Sequence, residues 1–231
     1  MLYEQAGDEE QKQRYLYLAA EQGNAEAQTD LALLLENVPD VKAPENEEAF
    51  QWMKAAADQG HGQANYFLGN FYRSGTGVDI DYHKAFECYQ KGAEQGNSDA
   101  MDRLGECYAN GTGVEIDNNL AFQYFRLSAE KGNPKGQCNL GLCYLDGIGC
   151  HQDSRLAFQW LSQACDSGVP SVFQMLEGRG LDIARMSNGY KRSQQLMAKA
   201  RGDRFGEHFD LIFNDSHLPI LPVPPGEKRA T

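Results

Sequence analysis

A glycine returns at a fixed step along this chain: Gly23, Gly60, Gly96, Gly132 and Gly168 are separated by 37, 36, 36 and 36 residues. Two further landmarks keep that step. One is the Leu-Gly pair at Leu68-Gly69, Leu104-Gly105 and Leu140-Gly141; the other is the Ala-Phe pair at Ala85-Phe86, Ala121-Phe122 and Ala157-Phe158. This period constrains the fold more than any other property of the sequence. A unit of this size cannot bury an apolar face alone, so neighbours must stack, and the product is a solenoid. Length by itself would allow one or two globular domains from 231 residues; the period makes most of the chain one elongated array.

Within residues 62–96 two apolar patterns of helical spacing follow one another. Ala64, Leu68, Phe71 and Tyr72 mark the first; Ala85, Cys88, Tyr89 and Ala93 mark the second, with Phe86 flanking. They predict two amphipathic helices of about 12–15 residues. Gly75 stands where the first helix must end, in the left-handed cap conformation that glycine takes without strain. Gly77 allows a second unusual turn, and Val78 can tuck under the helices. Asp81, Asp117 and Asp153 each precede the Ala of Ala-Phe by four residues and predict N-caps for the second helices. Gly96 closes a second helix, Asn97 caps the next first helix, and Pro134 and Pro170 fall where a first helical residue tolerates proline. Gly69, Gly105 and Gly141 lie inside the first helices, where each costs about 1 kcal/mol relative to Ala. A cost repeated in register implies a close approach of the neighbouring helix, against Ala or an aromatic ring. Trp52 and Trp160 occupy the aromatic slot of the second helix and are read as core.

The net charge is −12, which argues against nucleic acid as a partner. The charge is uneven: residues 1–177 carry net −15 and residues 178–231 net +3. An acidic array suits a basic or polar partner, although simple solubility explains it as well. Met1-Leu2-Tyr3-Glu4 leads straight into a charged run rather than a signal peptide, and no apolar stretch approaches the roughly 18 residues of a membrane span. The chain opens within half a repeat. The expected location is cytoplasmic if it is complete, and periplasmic or secreted if an N-terminal signal has been trimmed.

No constellation of residues carries catalysis. The six cysteines, at 88, 107, 138, 143, 150 and 165, do not recur as pairs in register, so free thiols are expected. Cys138, Cys143, Cys150 and His151 are spaced by 5, 7 and 1, which matches no zinc pattern. The Gly-Thr-Gly loops at 75–77 and 111–113 resemble phosphate cradles, but no third glycine and no Lys-Ser/Thr follows, and they come after a helix rather than a strand. The histidines at 61, 83, 151, 208 and 217 pair with no nucleophile in any motif. No catalytic, cofactor-binding or metal-ligating residue is therefore assigned, and no cofactor is expected.

Read together, Ala-x-x-x-Leu-Gly-x-x-Tyr, then Gly-x-Gly-Val, then Asp-x-x-x-Ala-Phe-x-x-Tyr/Trp and Ala-Glu-Gln-Gly-Asn resemble the Sel1-like repeat, a relative of the tetratricopeptide repeat. Units 62–97, 98–133 and 134–169 match closely. Unit 25–61 has Ala32 where glycine is expected and Asn37-Val38-Pro39-Asp40 in place of the Gly-x-Gly turn, but it keeps Ala49-Phe50, Trp52 and Gln59-Gly60. Residues 1–24 read as a partial repeat with its second helix alone. Residues 170–204 read as a degenerate capping repeat that keeps Val172, Leu176 and Ala200. Residues 205–231 form a C-terminal segment whose Pro-rich stretch, 218–225, packs extended on the last helices or serves as a polyproline ligand. The resemblance implies an all-α, right-handed α-α superhelical solenoid of four to five helix pairs. It also implies a non-catalytic adaptor or scaffold of bacterial type. Two alternatives accompany it: an inhibitor or immunity protein that neutralises a partner enzyme, and a cell-wall-ligand binding protein or hydrolase.

In stacked helix pairs the first helices line the concave face. Counting outward from the core alanines gives the side chains expected to point away from the core. They are Glu26 and Asp30; Gln63, Tyr66, Asn70 and Arg73; Asp99, Asp102, Arg103, Glu106 and Asn110; and Lys135, Asn139, Leu142 and Asp146. Tyr66, Asn70, Arg103 and Glu106 form the expected centre, since Tyr and Arg are enriched in binding hot spots. The expected partner is a protein or peptide of basic character, engaged by a monomeric chain.

Overall fold

The computed structural model describes residues 11, 14–36 and 43–178. Among them every regular element is a helix and none is a strand. Residues 14–21 form α1. The others are α2 (Ala25–Leu35), α3 (Pro44–Asp58), α4 (Gly62–Ser74), α5 (Tyr82–Glu94), α6 (Ser98–Asn110), α7 (Asn118–Glu130), α8 (Pro134–Asp146), α9 (Ser154–Asp166) and α10 (Pro170–Glu177). Most of the expected capping repeat, with Ala200, and the whole Pro-rich stretch lie outside the described residues. The chain divides into two compact units, Met1–Gly136 and Gln137–Thr231, with the division in the first turn of α8.

The helices begin where their caps dictate. Asp81 accepts a hydrogen bond from the amide of Lys84. Asp117 accepts from Asn119 and Leu120, and Asp153 from Arg155 and Leu156. Each satisfies amides that the first turn leaves without an intrahelical partner. Three of the first helices use Asn instead: Asn24 accepts from Ala27, Asn97 from Ala100, and Asn133 from Lys135 and Gly136, while α4 starts at His61 without a side-chain cap. Where the cap residue is Ala43 or Val169, no side-chain cap forms, and Pro44 and Pro170 fill the first helical turn.

The second glycine of the Gly-x-Gly loop has a packing role as well as a conformational one. Gly113 has φ +74°, and a Cβ there would run into the backbone carbonyl of Tyr82 at the start of α5. The loop that ends α6 thus seats on the entrance of the preceding repeat's second helix. Gly77 seats in the same way on the backbone of Asn46 in α3. These loops bind successive repeats together by main-chain contact too close for any side chain.

The glycines inside the first helices have the expected neighbour in two cases and a different one in the third. A Cβ at Gly69 would meet the ring of Tyr89, one at Gly105 the ring of Phe125, and one at Gly141 the side chain of Leu161. Tyr89 is fully buried and Phe125 nearly so. Each large side chain on the second helix fills the space left by the glycine on the first.

In the first unit α4 packs on α3 and α5, and α6 packs on α5 and α7, with α4 and α6 also adjacent. An internal first helix is therefore covered by two second helices. Its apolar contacts fall into a cluster around Phe50, Met53, Leu68 and Phe71, and another around Phe86, Tyr89, Leu104 and Cys107. Trp52 is half-buried against the former, its indole N–H donating to Glu48 Oε1 at 3.1 Å. In the second unit Cys138, Leu142, Leu161, Cys165, Val172, Phe173 and Leu176 make one cluster, so α10 keeps the apolar register of the repeats. Trp160 is half-buried there rather than core.

Candidate functional site

Adjacent first helices bring their outward residues together, and in the first unit α4 and α6 do so around a cleft of about 510 Å³. Arg73 comes from the last turn of α4, and Arg103, Glu106, Cys107 and Asn110 from α6. Tyr82 and Tyr89 come from α5, and the loop 111–113 closes one end.

The geometry of the cleft starts from Gly69. Because that position carries no Cβ, the ring of Tyr89 can cross α4 and deliver its hydroxyl to the outward side. There it donates to Asn70 Oδ1 at 2.9 Å. Burial pushes the phenol up to about 12, against the lowering effect of the Arg103 and Arg73 cations. A buried Tyr hydroxyl needs such a partner, and here the bond fixes the side chain of Asn70. On α6, Arg103 Nη1 donates to Glu106 Oε2 at 2.6 Å. Burial works against the Arg103 cation, but the adjacent Glu106 carboxylate more than offsets it, so the guanidinium is held charged. Cys107 forms part of the floor, its thiol pushed up to about 11 by burial.

Of the side chains selected from the sequence, Arg73, Arg103, Glu106 and Asn110 meet in this cleft, and Asn70 reaches it through Tyr89. Tyr66 is half-buried rather than projecting, with ring centroids 5.0 Å from Phe67 and 6.3 Å from Tyr89. Asp99 is engaged in the stack, accepting from Asn133 Nδ2 at 2.8 Å. Glu26, Asp30 and Gln63 are exposed on α2 and α4, and Lys135 is half-exposed at the start of α8. Asn139 and Asp146 belong to the second unit.

Two selected residues are not outward at all. Asp102 is 2% exposed and Leu142 9% exposed. The reason is the double coverage of an internal first helix. With a second helix packed on either side, the exposed stripe is narrower than a count from one alanine implies. The count also missed Tyr82, Tyr89 and Thr112, since it considered first helices alone. The available signal was the pairing of Tyr89 with a helix-interior glycine, which sends a polar tip across the core.

Among the described residues no group of three or more His, Cys, Asp or Glu gathers as a metal site. Cys150 is half-buried, its Sγ 3.5 Å from the Cys143 carbonyl oxygen. Among the same residues no helix is long and apolar enough to cross a membrane.

The Sel1 repeat model matches residues 13–24, 25–61, 62–97, 98–133 and 134–169. The chain belongs to the Sel1 repeat family. This Sel1 repeat chain is similar to a Sel1 repeat protein from Oxalobacter formigenes, with 32% identity and a TM-score of 0.65 over 72% of this chain and 66% of that one. It is also similar to a protective antigen of uropathogenic Escherichia coli that displays an SLR fold, with 31% identity and a TM-score of 0.64 over 83% of this chain and 41% of that one. A curated relative, chitin synthase regulatory factor 1 of Schizosaccharomyces pombe, is 38% identical over 73 residues, which are 31% of this chain and 16% of that protein. The chain thus spans about a sixth of its curated relative and less than two thirds of either solved protein. Sel1 repeats are generally protein–protein interaction modules, and scaffolds built from them are typically non-catalytic.

Proposed function

We propose that this chain is a non-catalytic scaffold that binds a protein or peptide partner on the concave face lined by α2, α4 and α6. The observation that carries this reading is the cleft between α4 and α6. Its polar groups come from two adjacent repeats, and the Tyr89–Asn70 and Arg103–Glu106 hydrogen bonds hold them in place. Side chains already fixed by the stack lose little entropy when a partner arrives. Tyr and Arg, the residue types that dominate interface energetics, supply four of the ten residues that line the cleft.

A photo-crosslinking amino acid at Asn110, exposed at the cleft, tests the face against one at Gln123, exposed on α7. The expected result is a discrete crosslinked partner from position 110 and none from position 123. A partner captured from position 123 alone would move the interface to the second helices.

A further inference from the structure

We propose that the cleft between Arg73 and Arg103 receives a carboxylate from an acidic segment of the partner. This rests on the reading of the face as a protein-binding surface and specifies its chemistry.

Two guanidinium groups and one carboxylate line the cleft. Glu106 is committed to Arg103. Arg73 has no carboxylate within ion-pair distance among the described residues, and it lies near enough to Tyr89 for its charge to act on the phenol. The cleft therefore holds a surplus cation, although residues 1–177 carry net −15. On such a background an acidic segment is repelled almost everywhere and attracted here, which fixes its register as well as its affinity.

The Arg103 side chain is 21% exposed, and hydrogen bonds to a charged group strengthen when water is partly excluded. A guanidinium presents its donors as a planar fork that fits a carboxylate. The Asn110 amide adds a neutral donor at the same wall. About 510 Å³ lies within the roughly 300–1,000 Å³ typical of ligand clefts, enough to admit a side chain with its flanking backbone.

Charge balance selects carboxylate over phosphate, the other anion that arginines take. With Glu106 paired to Arg103, the cleft holds one surplus positive charge, which a single monoanionic carboxylate neutralises and a dianionic phosphate overshoots. The position of Arg73 in the last turn of α4, where a cation offsets the helix dipole, is a second use of the same charge and would contribute to stability alone.

The test uses the full chain and an array of short synthetic peptides covering equal numbers of Asp/Glu-rich and Lys/Arg-rich sequences. The strongest binder is then measured by fluorescence anisotropy. Binders should be rich in Asp and Glu. Arg73→Gln should weaken the best one at least tenfold, equivalent to about 1.4 kcal/mol, with little change in melting temperature. Glu106→Gln should strengthen it, because Arg103 is released and a repulsive carboxylate is gone; a purely structural role for the pair would not give that sign. Binders without acidic enrichment that are lost on Asn110→Ala would overturn the carboxylate assignment while leaving the face in place. Binders indifferent to Arg73, Asn110 and Gln63 alike would overturn both. A phosphoserine peptide preferred tenfold over its Asp counterpart would make this a phosphate cleft. Absence of any binder up to about 1 mM peptide would also overturn the proposal.

Discussion

Repeats 62–97 and 98–133 share a backbone plan and differ on their outward side. Both end the first helix at a left-handed glycine, Gly75 and Gly111, and both cap the second with aspartate, Asp81 and Asp117. Both lay a large ring over a helix-interior glycine. In the first that ring is Tyr89 and in the second Phe125. The two fill the same space, but Tyr89 carries a hydroxyl through to Asn70. The outward positions follow suit: Asn70 and Arg73 in one repeat stand where Glu106 and Ala109 stand in the next. Residues that recur hold the stack; residues that change from repeat to repeat shape the cleft between them.

The strongest way to break this division is to overfill a recurring glycine. Gly105→Leu should destabilise by roughly 2–4 kcal/mol in urea denaturation, since even a Cβ overlaps the Phe125 ring and overpacking forces helices apart. Adding Phe125→Ala should return part of that loss, because residues in contact couple. Gly113→Ala comes next, at roughly 2–3 kcal/mol, combining left-handed strain with a main-chain collision against Tyr82. Its control is Gly132→Ala, where φ is +83° but nothing lies within 4 Å; strain alone should cost about 1 kcal/mol. Equal losses at the two sites would mean that the loop does not seat on the preceding repeat.

Tyr89→Phe makes the first repeat resemble the second at this position. It should cost about 1 kcal/mol for the lost hydrogen bond, and leave Asn70 without its anchor. The smallest effect near neutrality concerns Cys88 and Cys107, whose thiols are pushed up to about 11 by burial. In the unfolded chain a thiol ionises near pH 8.5. The folded chain keeps it neutral, so this stabilisation is fully present below about pH 8.5 and is lost as pH rises through about 11. Urea midpoints should be flat to pH 8 and fall from pH 9 upward. Cys88→Ala and Cys107→Ala should each flatten that fall.

The helical architecture was legible because its signals are local and repeated. Asp81, Asp117 and Asp153 announce helix starts, and Gly75 and Gly111 helix ends, through demands each residue's own backbone makes. The cleft was legible in part. Arg73, Arg103, Glu106 and Asn110 follow from helical phase, but Asp102 and Leu142 show that phase alone overestimates the exposed stripe of a helix covered on two sides. Tyr66 was chosen as a projecting anchor, yet it packs against the cluster around Phe86 and Tyr89; its removal should cost stability as well as any binding. Tyr82 and Tyr89 were missed because their contribution depends on tertiary contact across the helix pair. No period in the sequence reports such a contact.

The central claim is that the changing residues of α4 and α6 recognise a partner while the recurring ones hold the fold. The most direct test is calorimetric titration of the partner captured at position 110 against the double variant Arg73→Glu with Asn110→Ala, both exposed positions, with melting temperatures recorded on the same samples. The account predicts at least a tenfold loss of affinity, about 1.4 kcal/mol, with the melting temperature lower by no more than the few degrees that reversing the charge at the end of α4 costs. Undiminished affinity in a variant that melts at the same temperature would contradict it.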